Sequence, residues 1–537
     1  MELETIVSMD SARKERLIKY LDSLGVGHTV GDVVKLLENR GVKTVGIDYR
    51  QLTGELAEKF GVPRRMLQRF TNSILAGAVA ALTGLDLEAI REGFMKRFRG
   101  REHIVEPNMY IVSRAKEVVE ALVGRIFELE ESRLPYDELL IVSGNEIVAM
   151  AKVVSGVRFQ SYYPITPAQD ESFFLENYEV LDDGSKKLGT IVVFQTEDEI
   201  AAIAAAIGAA LTGVRASTAT SGPGFDLMAE GLSCAGMCEA PVVITFYQRG
   251  GPSTGMPTRG SQSDLMDALF AGHGEFPRIV IASGDHLEAF YDTLKAFNLA
   301  EKYQVPVIHL LDKFIANNVA VVPVPQIEKL RIDRGKLVFC WEGNGYKRFN
   351  LSEGLISTRV PFGGAVMWYT SDEHNEEGHI TEDPELRIAM ETRRNARLEL
   401  MDREIPEDGE RAILYGGEDA DYLLVGWGSV KGTAMETVDI LRREGLRVSY
   451  LHIRYFQPFP SRYVSKLLSS IGADNAILVE HSYHGLAGKV IAMNTGHVIR
   501  KRIVKFTGRP IYVHELVQAV RDVVSGKSER VVLKYGA

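Results

Sequence analysis

At 537 residues the chain is longer than one ordinary core requires, and two to four domains are expected. With 62 basic against 72 acidic residues the net charge is −10, which argues against nucleic acid or an anionic membrane as the main partner. A hydrophobic content of 45% and a charged content of 25% belong to a globular protein. Three cysteines, Cys234, Cys238 and Cys340, exclude a disulfide framework and the four thiolates of an iron–sulfur cluster, so any such cluster is expected on another chain.

No apolar run approaches the length of a membrane span, and the start, MELETIVSMDSARKER, has no signal-peptide apolar region, so the cytoplasm is expected. Residues 1–135 join helical patterns such as SARKERLIKYLDSLG to a strand-like run, KTVGIDY, and carry no catalytic signature. Over 136–325, apolar runs of strand length alternate with helical stretches: DELLIVSG, GTIVVFQ, RASTAT, APVVITFYQ, FPRIVIAS and VPVIHLL. That alternation predicts a parallel sheet covered on both faces. An irregular, charge-rich connector is expected over 326–410. A second alternating run fills 411–537, with GEDADYLLVGWGS, RVSYLHIRYF, NAILVEH and RPIYVHE. The fold class is α/β.

Five stretches within this frame are candidates to form a site. In SYYPITPAQDES, Pro164 and Pro167 bias Tyr163 and Thr166 towards extended backbone, a stiff turn that presents the Thr166 hydroxyl. In TEDEIAAIAAAIGAALTG, the acids Glu197, Asp198 and Glu199 stand at a strand-to-helix junction, where acids ordinarily complement the helix dipole. The alanines behind them let another element approach closely, and a carboxylate at the mouth of such an interface can be buried enough to act as an acid. In TATSGPGFDL the loop Ser221–Gly224 precedes a helix, but Pro223 removes a donor and no established phosphate motif is matched.

In FYQRGGPSTGMPTRGSQSD, Arg249 leaves a strand's carboxyl end into two glycines, with Thr254 five residues on. Ligands of open α/β sheets bind outside those ends, and arginine is shaped for two-point contact with a carboxylate. His374 and His379 in SDEHNEEGHITED lack a third ligand, so no metal is expected on this chain, and Asp372 is the better candidate for contact with substrate or cofactor. Cys234 and Cys238 read as packed thiols.

The motifs YPITP (Tyr163, Pro164, Ile165, Thr166, Pro167), EDEIAA, TATSGPG, RGGPSTG with PTR, VGWGS, and VEHSYHG resemble, in one order, the α subunit of archaeal 2-oxoacid:ferredoxin oxidoreductases. Residues 1–135, through TNSILAGAVAALTGLDLEAI, resemble the later part of that family's γ domain, without its opening strand and glycine-rich loop, as if the chain starts partway through. The resemblance implies a partial α/β γ domain over 1–135 and two doubly wound parallel-sheet domains. The first is thiamine-pyrimidine-binding, over 136–325, and the second is transketolase-C-terminal-like, over 411–537.

It further implies coenzyme A-dependent oxidative decarboxylation of 2-oxoacids (pyruvate, 2-oxoglutarate, 2-oxobutyrate) to acyl-CoA and CO2, with ferredoxin reduced. Thiamine diphosphate would be shared with a β subunit that holds Mg2+ and a four-iron cluster, in an αβ heterodimer or higher assembly; no GDG followed by paired asparagines occurs here. By resemblance, Glu199 protonates the aminopyrimidine, preferred over Glu197 for its nine-residue step to Gly208. Thr166 and Arg249 hold the substrate's carboxylate and keto oxygen, while Thr254 and Asp372 line the pocket. The alternative is a non-catalytic scaffold subunit for assembly or electron-carrier docking.

Overall fold

The computed structural model describes residues 2–6, 9–98, 100–130, 134–136, 138–182 and 184–535. The chain divides into two compact units, residues 1–135 and 136–537. In the first, helix Thr71–Thr83 packs on helix Glu102–Val123 at Gly77, where a Cβ would lie 2.8 Å from that of Ala115. Leu52, Leu56, Ile74 and Ile111 fill the space around this crossing. The expected strand in KTVGIDY does not form. Asp48 instead caps helix Tyr49–Phe60 by accepting from Arg50 N and Gln51 N, and the residues before it find no partner strand. Among the described residues of this unit the sole ladder contact is one bridge, Glu2 to Thr29, so the unit is helical.

The second unit carries two large sheets. The first has seven strands in the order Tyr455–Gln457, Ile279–Ala282, Val307–Asp312, Val242–Gln248, Arg215–Ser221, Val157–Tyr162 and Val192–Gln195. All are parallel except the first, which the C-terminal part of the chain contributes to the edge of this sheet. Every position of Val242–Gln248, Val307–Asp312 and Arg215–Ser221 is buried, as sheets covered by helices on both faces require.

The second sheet has six strands in the order Ala412–Tyr415, Val448–Ile453, Tyr422–Gly426, Ala476–Glu480, Lys501–Val504 and Arg530–Val532, the first antiparallel. Two sequence expectations are corrected here. DELLIVSG does not enter the parallel sheet: Leu139–Ser143 pairs antiparallel with Val319–Pro323 in a separate ribbon, with Ile141 exposed and Val142 buried. RPIYVHE is not a strand either: Tyr512 precedes helix Val513–Val524, and the ladder position goes to Lys501–Val504.

The connector has little regular structure before helix Pro384–Glu404, yet its charges point inward. Glu239 pairs with Arg348, Arg393 and Arg397, and Glu301 with Arg215, Arg334 and Arg359. Burial acts to raise the pKa of Glu239, but Arg397, Arg393 and Arg348 outweigh it and hold the carboxyl well below the usual range. One apolar core, from Phe225 and Phe246 to Trp427 and Leu478, runs under both large sheets. Gln262 joins the sheets' carboxyl ends: its side chain donates to Trp427 O at 2.8 Å and its Oε1 accepts from His481 N at 2.9 Å, while its backbone N donates to His481 O at 2.8 Å.

Candidate active site

The site forms where strands of the first sheet end. Asp198 caps helix Glu199–Leu211, accepting from Ala201 N at 2.8 Å, while Glu197 stays exposed. Glu199 turns inward and keeps only 4% of its surface exposed. Burial raises its pKa, its own backbone N–H opposes this, and the neighbouring charges Asp198 and Arg249 push in opposite directions.

Strand Arg215–Ser221 runs straight into helix Gly222–Leu227, with Pro223 in its first turn, where a missing N–H leaves no bond unmade. A Cβ at Gly224 would sit 2.7 Å from Glu199 Cγ and against Thr220 Oγ1, so this glycine is bare because the glutamate occupies its side-chain space.

The YPITP turn is pinned from two sides. Arg249 Nη1 donates to Thr166 O at 2.7 Å, and Asn145 Nδ2 donates to Pro167 O at 2.9 Å. Thr166 is half-buried, and its hydroxyl has no hydrogen-bond partner among the described residues. Arg249 follows strand Val242–Gln248, is buried, and has no partner for Nε.

A cleft of about 650 Å³ opens beside it, lined among others by Gly222, Pro223, Asp226, Asp264 and Asp267. Thr254 is exposed further along the loop, outside the residues lining this cleft. Thus Glu199, Thr166 and Arg249 share one end of the sheet.

Asp372 does not come to this cleft. Its neighbour Thr370 accepts a hydrogen bond from Cys238 Sγ just before strand Val242–Gln248 begins, whereas Arg249 follows its end. A strand of that length spans about 20 Å. Asp372 itself is exposed and accepts from Thr370 Oγ1 at 3.0 Å. His374 is buried against the Phe349 ring and His379 lies on Trp368. Among the described residues no group of three His, Cys, Asp or Glu is placed to hold a metal. Cys234 and Cys238 lie 4.0 Å apart, sulfur to sulfur.

Sequence reasoning missed Asp264. Burial first, then repulsion from Asp267 and Asp226, pushes its pKa up to about 7, with Ser263 and Arg249 opposing. The motif TRGSQSD places it shortly after Arg249, but this half-buried acid is covered in part by the helix at Gly222, some forty residues earlier.

The helix starting at Glu199 also leaves an uncovered face. Ile200, Ala201, Ala204 and Gly208 are exposed, as are Val192 and Phe194 of the sheet's edge strand, and Gly208 and Val192 line one shallow depression. Among the described residues no helix is long and apolar enough to cross a membrane.

Residues 150–393 match the family model described as pyruvate flavodoxin/ferredoxin oxidoreductase, thiamine diP-bdg. Residues 420–516 match pyruvate:ferredoxin oxidoreductase core domain II, and residues 4–118 match pyruvate ferredoxin/flavodoxin oxidoreductase. The 2-oxoacid:ferredoxin oxidoreductase 1, subunit alpha, of Aeropyrum pernix is 51% identical over 538 residues, covering 100% of this chain and 84% of its own. The corresponding subunit alpha of Saccharolobus solfataricus is 44% identical, covering 99% of this chain and 84% of its own.

A solved 2-oxoglutarate:ferredoxin oxidoreductase from Magnetococcus marinus, with 2-oxoglutarate, coenzyme A and succinyl-CoA bound, superposes with a TM-score of 0.77 at 30% identity. It covers 88% of this chain and 79% of its own. With identity of this extent along its whole length, the chain belongs to the 2-oxoacid:ferredoxin oxidoreductase α subunits.

Proposed function

We propose that this chain forms half of the active site of an enzyme that oxidatively decarboxylates 2-oxoacids to acyl-CoA and CO2, using coenzyme A and passing two electrons to ferredoxin. The observation that carries the reading is the convergence of a buried Glu199, a partly unsatisfied Arg249 and the pinned YPITP turn at one end of a thiamine-family sheet. The residues fit the pyrimidine end of thiamine diphosphate: a carboxyl that holds its proton more readily than usual faces a glycine with no side chain. When bound, that cofactor supplies the nucleophilic carbon and the electron sink of the reaction.

Glu199 would hold and deliver a proton at the aminopyrimidine ring nitrogen. Arg249 would pair with the substrate carboxylate through the donors that Thr166 O leaves free, and the Thr166 hydroxyl would add a neutral bond to the same substrate. Thr254 would meet the substrate from the loop. Asp372, remote from the cleft, has no assigned part in it.

The remaining half belongs to a β subunit carrying the diphosphate and Mg2+ site and the four-iron cluster. Its docking face on this chain would be Ile200, Ala201, Ala204 and Gly208 with the strand edge, where small side chains permit close approach. In this reading residues 1–135 are a γ-like domain, 136–325 the pyrimidine-binding domain, 326–410 the connector and 411–537 the transketolase-like domain, and the complex works in the cytoplasm. Co-purification with the β subunit tests it: the iron–sulfur absorbance near 400 nm should bleach on adding 2-oxoacid and coenzyme A together. A complex with thiamine diphosphate bound and no bleaching with any 2-oxoacid would overturn it.

A further inference from the structure

We propose that Asp264 is a positioning residue for the oxoacid, its carboxyl engaging or releasing Arg249 according to whether it carries a proton. The inference rests on the reading of Arg249 given above. Asp264 N donates to Gln248 Oε1 at 3.2 Å, which ties this residue to the strand end that Arg249 leaves. From the other side, a Cβ on Gly222 would lie 3.2 Å from Asp264 Oδ2. Both residues line the same cleft, and Arg249 brings to it a buried guanidinium with Nε unpartnered.

The charged and polar groups around Asp264 are Asp226 on helix Gly222–Leu227, Asp267 on helix Leu265–Phe270, Ser263, and Arg249 itself. Ser263 Oγ donates to Asp264 Oδ1 at 3.3 Å. This one cleft therefore holds three carboxyls against one guanidinium.

When Asp264 is ionised it attracts the guanidinium and repels an entering carboxylate. When it is protonated, Arg249 is left to the substrate. The 2-oxoacid carboxylate is charged at every pH concerned, so the change in affinity belongs to the protein. With burial and the neighbouring acids setting the midpoint at about 7, substrate affinity falls as the pH rises through neutrality.

The test uses the assembled α–β enzyme with its cofactor, measuring KM for pyruvate and for coenzyme A from pH 6 to pH 8. Wild type should show the KM for pyruvate rising about tenfold across that range, the behaviour of a single proton, while the KM for coenzyme A does not follow it. D264N should give a flat profile near the low-pH value, and D267N should keep the rise and move it to lower pH, since it removes a charge that raises the Asp264 midpoint. S263A leaves the acid in place and removes a bond to the anion, so its rise should move to higher pH; this variant decides the matter if D264N fails to assemble.

A flat wild-type profile, an unaltered rise in D264N, or flattening by D267N alone overturns the proposal. R249A separates the two levels. If it leaves the KM for pyruvate unchanged, the reading of Arg249 fails; if it raises that KM while D264N keeps the rise, only the role of Asp264 fails.

Discussion

Glu197 and Glu199 are two positions apart and have opposite surroundings, because Asp198 takes the cap of the helix and the next residue is buried against Gly224. E199Q keeps the shape and cannot deliver a proton, so kcat should fall by about 10²–10⁴ with little change in cofactor affinity. E197Q should remain near wild type; a dead E197Q with an active E199Q in the same steady-state assay reverses the assignment. R249A should lower kcat/KM for the 2-oxoacid more than T166A does. Bonds to charged groups contribute about 1.5–3 kcal/mol and neutral ones about 1. R249K should restore only part, because an ammonium lacks the two-point planar geometry.

Much of this was legible in sequence. The proline bracket, the acids before an alanine-rich helix and the arginine at a strand end are local patterns. Gly224 and Asp264 were not, since the bare Cα answers to a glutamate twenty-five residues earlier and the acid's surroundings are built from separate segments.

At the scale of elements, periodicity identified most strands of the two large sheets, passed over Val157–Tyr162, Ala412–Tyr415, Lys501–Val504 and Arg530–Val532, and misread KTVGIDY, DELLIVSG and RPIYVHE. A run of β-prone residues states a local preference, and pairing is settled by which neighbour is within reach. The connector shows the same limit. It was legible only as irregular and rich in charge, but its Arg348, Arg393 and Arg397 close on Glu239, and its Arg334 and Arg359 join Arg215 on Glu301.

E239Q would leave three guanidiniums facing a neutral group. Removal of one partner from a buried ion pair costs about 3–5 kcal/mol. The thermal midpoint should drop, and limited proteolysis should cut first within residues 335–380; an unchanged midpoint and cutting pattern would show that the cluster adds nothing. Because Glu239 is held below its ordinary value of 4.5, its contribution is complete above that pH and is lost as acid takes the carboxyl down through its lowered range. Wild type should therefore lose connector protection below about pH 4.5, and E239Q should show a shallower dependence, the part left to Glu373 and Glu376, which their own cationic partners also hold below the ordinary range.

For the whole molecule, the uncovered helix face makes a prediction that separates folding from assembly. A Cβ at Gly208 would meet nothing within 4 Å in this chain and the position is exposed, so G208L should fold and melt normally while blocking a partner helix. Co-elution with the β subunit in size exclusion should be lost; retained co-elution would place the interface elsewhere. The chain purified alone should neither hold thiamine diphosphate tightly nor reduce a viologen dye.

The strand Tyr455–Gln457 sets a limit of another kind. It lies far along the chain, yet it closes the edge of a sheet assembled from residues before 313. A break in the gene anywhere in the connector would leave Ile279–Ala282 as a bare, apolar rim, open to pairing with any passing chain. Fission of this gene into two would therefore meet a barrier of aggregation. The two sheets are expected to be inherited and exchanged together, while the helical unit before residue 136, which shares no strand with either, is free to be joined or lost.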